Sequence, residues 1–365
     1  MRKILLSAVV LAWSLAAAEQ VVYVGTYTAA NSSSKGIYSF RFDPATGKMS
    51  SPALAAESVS PSFLAVSRNG KALYAVNEAG GGTVSAFAIE SPGKLRLLNT
   101  LPSEGTSPCH VNLDPSGKWL AVANYSSGSA AIFPVNADGS LGKPSEVVQH
   151  KGSGPNKSRQ EGPHAHSVNF TKDGKFLFIA DLGLDQVKVY AFDKKLGKLK
   201  EVAQLESPKG GGPRHASLGK NGLVYVVNEL EGAVSSFRWN GGSGPTQAIA
   251  TVSALPADWK GNKSGAEVLL DPSGKMVFSS NRGHDSIAVF ETDPASGSLR
   301  FVEAVKLGIK TPRGFVISPD GKWLLAGGQD SDQVAVFRID RQKKTLEKVG
   351  ENITVGRPVC LRFSK

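Results

Sequence analysis

Sulfur is scarce in this 365-residue chain, which has two cysteines, Cys109 and Cys360, and three methionines. Two thiols cannot form a disulfide framework. The repeat described below puts them in units that are not neighbours, beyond the ~7 Å Cα separation that a disulfide spans, so they are expected to be unjoined. Long hydrophobic runs are also missing, because none reaches the ~20 residues needed to cross a bilayer. Ile4 to Leu15 is a shorter apolar stretch, preceded by Arg2 and Lys3 and followed by Ala16-Ala17-Ala18. A basic start, a short apolar core and a small-residue cleavage site make a secretory signal peptide. Residues 1–18 are therefore set apart from the fold. The chain is expected to be exported, periplasmic or secreted, with no membrane segment after cleavage. No long amphipathic helical pattern occurs, and so no Gly-rich loop opens a helix to hold a nucleotide. No His, Cys and Asp cluster stands at metal-ligand spacing, and His164 with His166 does not make one. Neither a metal nor a cofactor is expected. The formal charge of +11 falls by two when Arg2 and Lys3 are removed. The lysines are scattered through turns (Lys48, Lys71, Lys94, Lys118, Lys175, Lys322). That is a solvated pattern and not the stripe of a nucleic-acid binder.

Glycine and proline are plentiful, at 40 and 20 residues. Short apolar runs alternate with Gly, Asn, Asp and Pro clusters, which reads as all-β. One unit recurs about every 50 residues. It runs from a Pro through an apolar strand and a tight Gly-Lys turn to a second strand ending in Asn, then to a third ending in Phe. Pro61-Ser62-Phe63 leads to Asn69-Gly70-Lys71, Asn77-Glu78 and Phe87. Pro108-Cys109-His110 leads to Ser116-Gly117-Lys118, Asn124-Tyr125 and Phe133. Four further units begin at His164, Pro213, Ala266 and Pro312. The seventh is split. Val21 to Thr26 and Gly36 to Phe42 have the second- and third-strand patterns, and Pro358 to Phe363 supplies the first strand from the far end of the chain. Closing the ring in this way removes an exposed sheet edge. The Asn-Gly and Asp-Gly pairs suggest two-residue hairpins with positive φ. The expected fold is one seven-bladed β-propeller over residues 19–365, with four-stranded blades. Two sheets of unrelated strands would not repeat in phase seven times.

In a propeller the first strand of each blade lines the central channel, and the second returns beside it. The start of the first strand and the end of the second therefore share one mouth. By repeat phase alone, one ring there is Ser62, Cys109, His166, Arg214, Ala266, Arg313 and Val359. A second is Tyr27, Glu78, Tyr125, Leu182, Glu229, Arg282 and Gln329. A plain scaffold would repeat one small or apolar residue, whereas these positions carry His, Arg, Glu and Tyr. In a structural role Arg214 and Arg313 would be ion partners of Glu229 and Glu78. The stretch from Gly152 to Pro163 is expanded on the mouth side, and with Lys157, Arg159 and Gln160 it reads as a lid or rim.

Gly154-Pro155, Arg159-Gln160 and Pro163-His164-Ala165-His166-Ser167 together resemble the signature of the propeller-type lactonases. That family includes bacterial propeller 6-phosphogluconolactonases and fungal propeller muconate-lactonizing enzymes. Val22 to Thr28, Gly212-Pro213-Arg214-His215 and Asn281-Arg282-Gly283 are similar to the same family. The likeness spans nearly all of the chain after residue 18. It implies chemistry on lactone rings, with His166, Arg214, Glu229 and Arg282 as catalytic residues, all four already on the two rings. Arg159, Gln160, His164, Arg313, Glu78, Tyr125 and Tyr27 are expected to bind a small acidic lactone. One feature departs from the family: a signal peptide does not suit an enzyme acting on a cytoplasmic sugar phosphate.

Lactone hydrolysis needs a proton acceptor for water and stabilisation of an oxyanion. Glu229 and His166 are the candidate bases. Arg214 and Arg282 can hold the oxyanion and an acidic tail. Two other functions would use the same mouth: a non-catalytic exported propeller that binds a ligand or protein, and a muconate-type cycloisomerase or lyase.

Overall fold

A computed structural model describes residues 19–79 and 81–364. The signal peptide expected at 1–18 lies outside these residues. The described chain folds into seven sheets, each built on four antiparallel strands. The inner strands of blades 1 to 7 are Pro358–Phe363, Phe63–Val66, Pro108–Leu113, Ala165–Phe170, Pro213–Leu218, Gly265–Leu270 and Pro312–Ile317. In blade 1, Pro358–Phe363 pairs antiparallel with Gln20–Thr26, so the C-terminal strand closes the ring against the first strand. No helix of the described residues is long and apolar enough to cross a membrane.

Packing explains the repeated residues. Apolar side chains from adjacent blades interlock. Between blades 7 and 1, for example, Trp323, Leu325 and Val336 meet Val22, Val24, Phe42 and Leu361. The Trp323 indole N–H reaches the Pro44 carbonyl at 2.9 Å, and Trp119 likewise reaches Lys194 at 3.0 Å. The Asn that ends most second strands is a tie. The side-chain amide of Asn124 donates to Ser103 O at 2.9 Å and to Ser129 Oγ at 3.2 Å, and Asn281 does the same with Ala254 O and Ser286. Each joins the end of its strand to the next strand and to the chain arriving from a neighbouring blade. The buried amide N–H groups thus have partners, as burial demands, whereas the side-chain oxygens of Asn124 and Asn281 do not.

The Gly-Lys turns are longer than the sequence suggests. Ser67 N donates to Ala72 O and Gly70 N donates to Ser67 O, so four residues connect the strands. The glycine after the turn still takes the left-handed conformation, with φ 68° at Gly70 and 72° at Gly117, which glycine adopts without steric cost. Blade 4 departs from four strands. Gly244–Gln247, between the third and fourth strands of blade 5, pairs parallel with Lys198–Glu206 and covers the outer edge of blade 4.

The irregularity that matters for function lies in the inner strands. Six of the seven carry a register shift at their start, recorded at Val359, Cys109, His166, Arg214, Ala266–Glu267 and Arg313. A β-bulge sets two residues against one and lets successive side chains leave on the same side. Arg214 and His215 accordingly both face the channel, as do Phe63, Cys109 and Arg313.

Candidate active site

At one mouth of the channel a cavity of about 210 Å³ is lined by Glu78, Cys109, Tyr125, Arg159, His166, Glu229, Arg282 and Arg313. Tyr27, Ser62, Arg214, His215 and Val359 lie against its floor. Eleven residues of the two rings read from the repeat thus come together here. Two larger cavities exist, one of about 540 Å³ on the flank of blades 4 and 5 and one of about 520 Å³ at the other end of the channel. The second is lined by Arg68, Asp114, Glu267 and Arg362, but neither gathers arginines around one carboxylate as the mouth does.

Glu229 is the centre of the arrangement. Its carboxylate is 2.7 Å from Arg159 Nη2, 3.1 Å from Arg214 Nε and 2.9 Å from Arg282 Nη2. Burial alone would raise its pKa, but Arg282, Arg214, His166 and the Arg159 hydrogen bond outweigh burial and hold it far below the usual carboxylate range. Arg214 is itself buried. Burial, followed by repulsion from Arg313 and Arg282, pushes its pKa down to about 10, so it stays charged at neutral pH. Arg282 Nη2 also donates to Gly265 O at 2.9 Å.

Arg313 differs from the other three arginines. It lies 5.3 Å from the Tyr27 ring centroid, a cation–π distance, and among the described residues it has no carboxylate within 4.0 Å. Glu78 instead accepts a hydrogen bond from Tyr27 Oη at 2.8 Å. The sequence-level pairing of Arg313 with Glu78 is therefore not formed, whereas Arg214 with Glu229 is.

His166 is buried in the wall, and its Nδ1 is 3.6 Å from Cys109 Sγ. Burial, reinforced by Arg214 and His215, holds its pKa well below 6.5, so the ring is neutral. With the thiol proton directed at the His166 carbonyl, an Nδ1–H donates to the sulfur, and Nε2 is then the acceptor nitrogen, with no hydrogen-bond partner among the described residues. Burial pushes the Cys109 thiol up, and it donates to the His166 carbonyl at 3.4 Å. Cys109 and Cys360 are both free.

The expanded loop forms a rim. Gln160 does not reach the cavity. It is fully buried, and its amide donates to Leu182 O at 2.8 Å and to Asp185 Oδ1 at 2.6 Å. Its Oε1 accepts from Asn156 N at 3.0 Å, closing a short turn that presents Arg159 to Glu229 and Tyr125. The loop sits tight on the next turn: a Cβ on Gly183 would come within 1.9 Å of Gly162 O. His164 stacks on Tyr125 at 4.5 Å and 11°, behind the cavity wall. Leu182 is fully buried, and Ala266 contributes its carbonyl to Arg214 at 2.7 Å. His215 and Glu267 were not among the residues singled out. His215 follows the bulged Arg214 and Glu267 lies within the bulge of its strand, where strict strand alternation would point them away from the channel. The available signals were Arg214 and His215 in succession, and an acidic Glu267 between Ala266 and Val268, in otherwise buried strands.

Residues 21–363 match the family model described as lactonase, 7-bladed beta-propeller. The chain belongs to that family. This lactonase is 38% identical over 344 residues to the 6-phosphogluconolactonase of Bacillus subtilis (strain 168), covering 93% of this chain and 97% of that protein. It is 32% identical over 306 residues to a 6-phosphogluconolactonase of Formosa agariphila, covering 81% and 86%. The solved structure of the periplasmic gluconolactonase of Pseudomonas aeruginosa superposes with a TM-score of 0.88 at 33% identity, over 95% of this chain and 99% of that one. The protein is therefore an ester hydrolase that opens lactone rings.

Proposed function

We propose that the enzyme hydrolyses an acidic sugar lactone of the 6-phosphogluconolactone type at the arginine-lined mouth, with His166 as the base. The observation that carries this reading is the charge of the mouth: four guanidiniums (Arg159, Arg214, Arg282, Arg313) face two carboxylates (Glu78, Glu229), and Arg313 has no carboxylate partner among the described residues. An anionic substrate completes that set. Arg313 would take its phosphate or developing carboxylate, because a guanidinium binds such groups through paired hydrogen bonds.

Glu229 has both carboxylate oxygens engaged by Arg159, Arg214 and Arg282, so it is not the group that takes a proton from water. His166, neutral and with Nε2 free, takes the proton of a water that attacks the lactone carbonyl carbon. The carbonyl oxygen becomes an oxyanion facing Arg282 and Arg214, fixed donors of the kind that stabilise such charge. The ring C–O bond then breaks, and the imidazolium returns its proton to the leaving ring oxygen. The product is the open hydroxy acid. Glu229 keeps three arginines in place without reacting itself.

We further infer that the chain is exported. The basic start, apolar core and Ala16-Ala17-Ala18 support this, and the Pseudomonas relative is named periplasmic. Export favours a second reading, an unphosphorylated aldonolactone, as that relative's name says of it. Initial rates of lactone-ring opening, corrected for spontaneous hydrolysis, decide between them. A higher kcat/KM on 6-phospho-D-glucono-1,5-lactone than on D-glucono-1,5-lactone supports the first reading, and the reverse order supports the second. No turnover of either would overturn both.

A further inference from the structure

We propose that His215 and Glu267 are positioning residues for the reaction, because together they fix the guanidinium of Arg214 from below the mouth. The inference rests on the reading that Arg214 serves the reacting group.

Arg214 and His215 leave the bulged inner strand of blade 5 side by side, and Ala266 and Glu267 do the same in blade 6. Arg214 Nη1 donates to Ala266 O at 2.7 Å and lies 3.2 Å from His215 Nε2. His215 Nδ1 lies 2.9 Å from Glu267 Oε1. All three side chains are buried. The protonation pattern follows from donor counts. A guanidinium has donors only, so His215 Nε2 must accept from it. The imidazole proton must then sit on Nδ1, and Glu267 is the acceptor that holds it there. Glu267 Oε1 is itself fixed by Val268 N at 3.1 Å.

The consequence for Arg214 is specific. Its Nη1 donors are directed at Ala266 and His215, and its Nε lies 3.1 Å from Glu229 as an ion pair without hydrogen-bond alignment. Nη2 has no partner among the described residues, so it is the part of the guanidinium left for the substrate. If His215 took the other tautomer, an N–H would point at Nη1 and the guanidinium would have to rotate. Glu267 lines the chamber at the opposite end of the channel. The column therefore reaches through the channel's aromatic waist, where Phe63, His110 and His215 lie within 5.6 Å of one another by ring centroids.

The test compares Glu267→Ala, Glu267→Gln, His215→Phe and Arg214→Ala by kcat and KM on 6-phospho-D-glucono-1,5-lactone, with melting temperature alongside. Glu267→Ala and His215→Phe are expected to lose about 10- to 100-fold in kcat/KM, mostly in kcat, the range that losing an orienting partner costs elsewhere. Glu267→Gln keeps an acceptor oxygen for Nδ1–H and is expected to recover activity to within about threefold of the parent. Full activity in both Glu267→Ala and His215→Phe, with Arg214→Ala inactive, overturns the positioning role alone. Full activity in Arg214→Ala removes both that role and the reading beneath it. Should the variants not fold, ¹⁵N imidazole shifts of the parent protein still decide: His215 protonated on Nδ1 supports the column, and His215 protonated on Nε2 overturns it.

Discussion

The two ends of the channel are built from the same seven inner strands, yet they differ in kind. One end is a cavity of about 210 Å³ ringed by arginines, with the loop from Gly152 to Pro163 as its rim. The other is a chamber of about 520 Å³ walled largely by Leu, Val and Ile, with Arg362 over the Phe63 ring and the exposed Arg68 as its cations. The larger space has the poorer chemistry. What separates them is where the bulges fall: they sit at the starts of the inner strands and turn Cys109, His166, Arg214 and Arg313 toward a single small volume. Further along, the strands alternate regularly and present a repeated apolar residue. Volume alone would select the chamber, whereas convergent charge selects the arginine mouth.

The largest expected effect strikes both ends together. Deleting residues 358–365 strips blade 1 of its inner strand and opens a long sheet edge, which invites aggregation. The truncated protein should be insoluble or lack a cooperative melt, as circular dichroism and sedimentation would report. Next, His166→Ala should lower kcat about 10²- to 10⁴-fold, the usual cost of losing a general base, with a melting temperature close to the parent's. Arg313→Ala should raise KM for the phosphorylated lactone about 10- to 100-fold, since hydrogen bonds to charged groups contribute ~1.5–3 kcal/mol. It should raise KM less for the unphosphorylated one.

Acid should weaken the wall between the two ends. Burial holds the pKa of His110, His166 and His215 well below 6.5 in the fold. The unfolded chain therefore binds more protons, so stability is full above about pH 6.5 and falls as pH drops below it. Each histidine contributes a slope of up to ~1.4 kcal/mol per pH unit. Urea melts between pH 7.5 and 5 should show a falling midpoint, and a flat profile would mean that the imidazoles are not buried neutral. The smallest effect is expected at the far end. Arg68→Ala should leave kcat/KM within about twofold and stability within ~0.5 kcal/mol, as exposed substitutions do. A loss approaching that of His166→Ala would erase the distinction between the ends.

Much of this was legible beforehand because a propeller repeats. The phase of Pro, Gly-Lys and Asn located the inner, second and third strands, and hence the rings containing His166, Arg214, Glu229 and Arg282. The outer strands were not legible. Lys94–Pro102 and Thr345–Thr354 are half-exposed and rich in charge, so burial imposes little pattern on them. The parallel strand Gly244–Gln247 carries no signal of its own. Strict alternation hid His215 and Glu267, because a bulge breaks the period of two. The motif stretch also grouped Gln160 with Arg159, although the fold turns one inward as an anchor and the other to the mouth. Adjacent residues in a loop share a signature without sharing a role.

The central claim is that lactone chemistry occurs at the arginine mouth. The most direct measurement is a crystal structure with the stable product acid, 6-phospho-D-gluconate. The expected result is an anionic group of the ligand within hydrogen-bond distance of Arg313 and a hydroxyl or carboxylate oxygen facing His166 Nε2. Product seated instead in the chamber lined by His110, Glu267 and Arg362 would contradict the account.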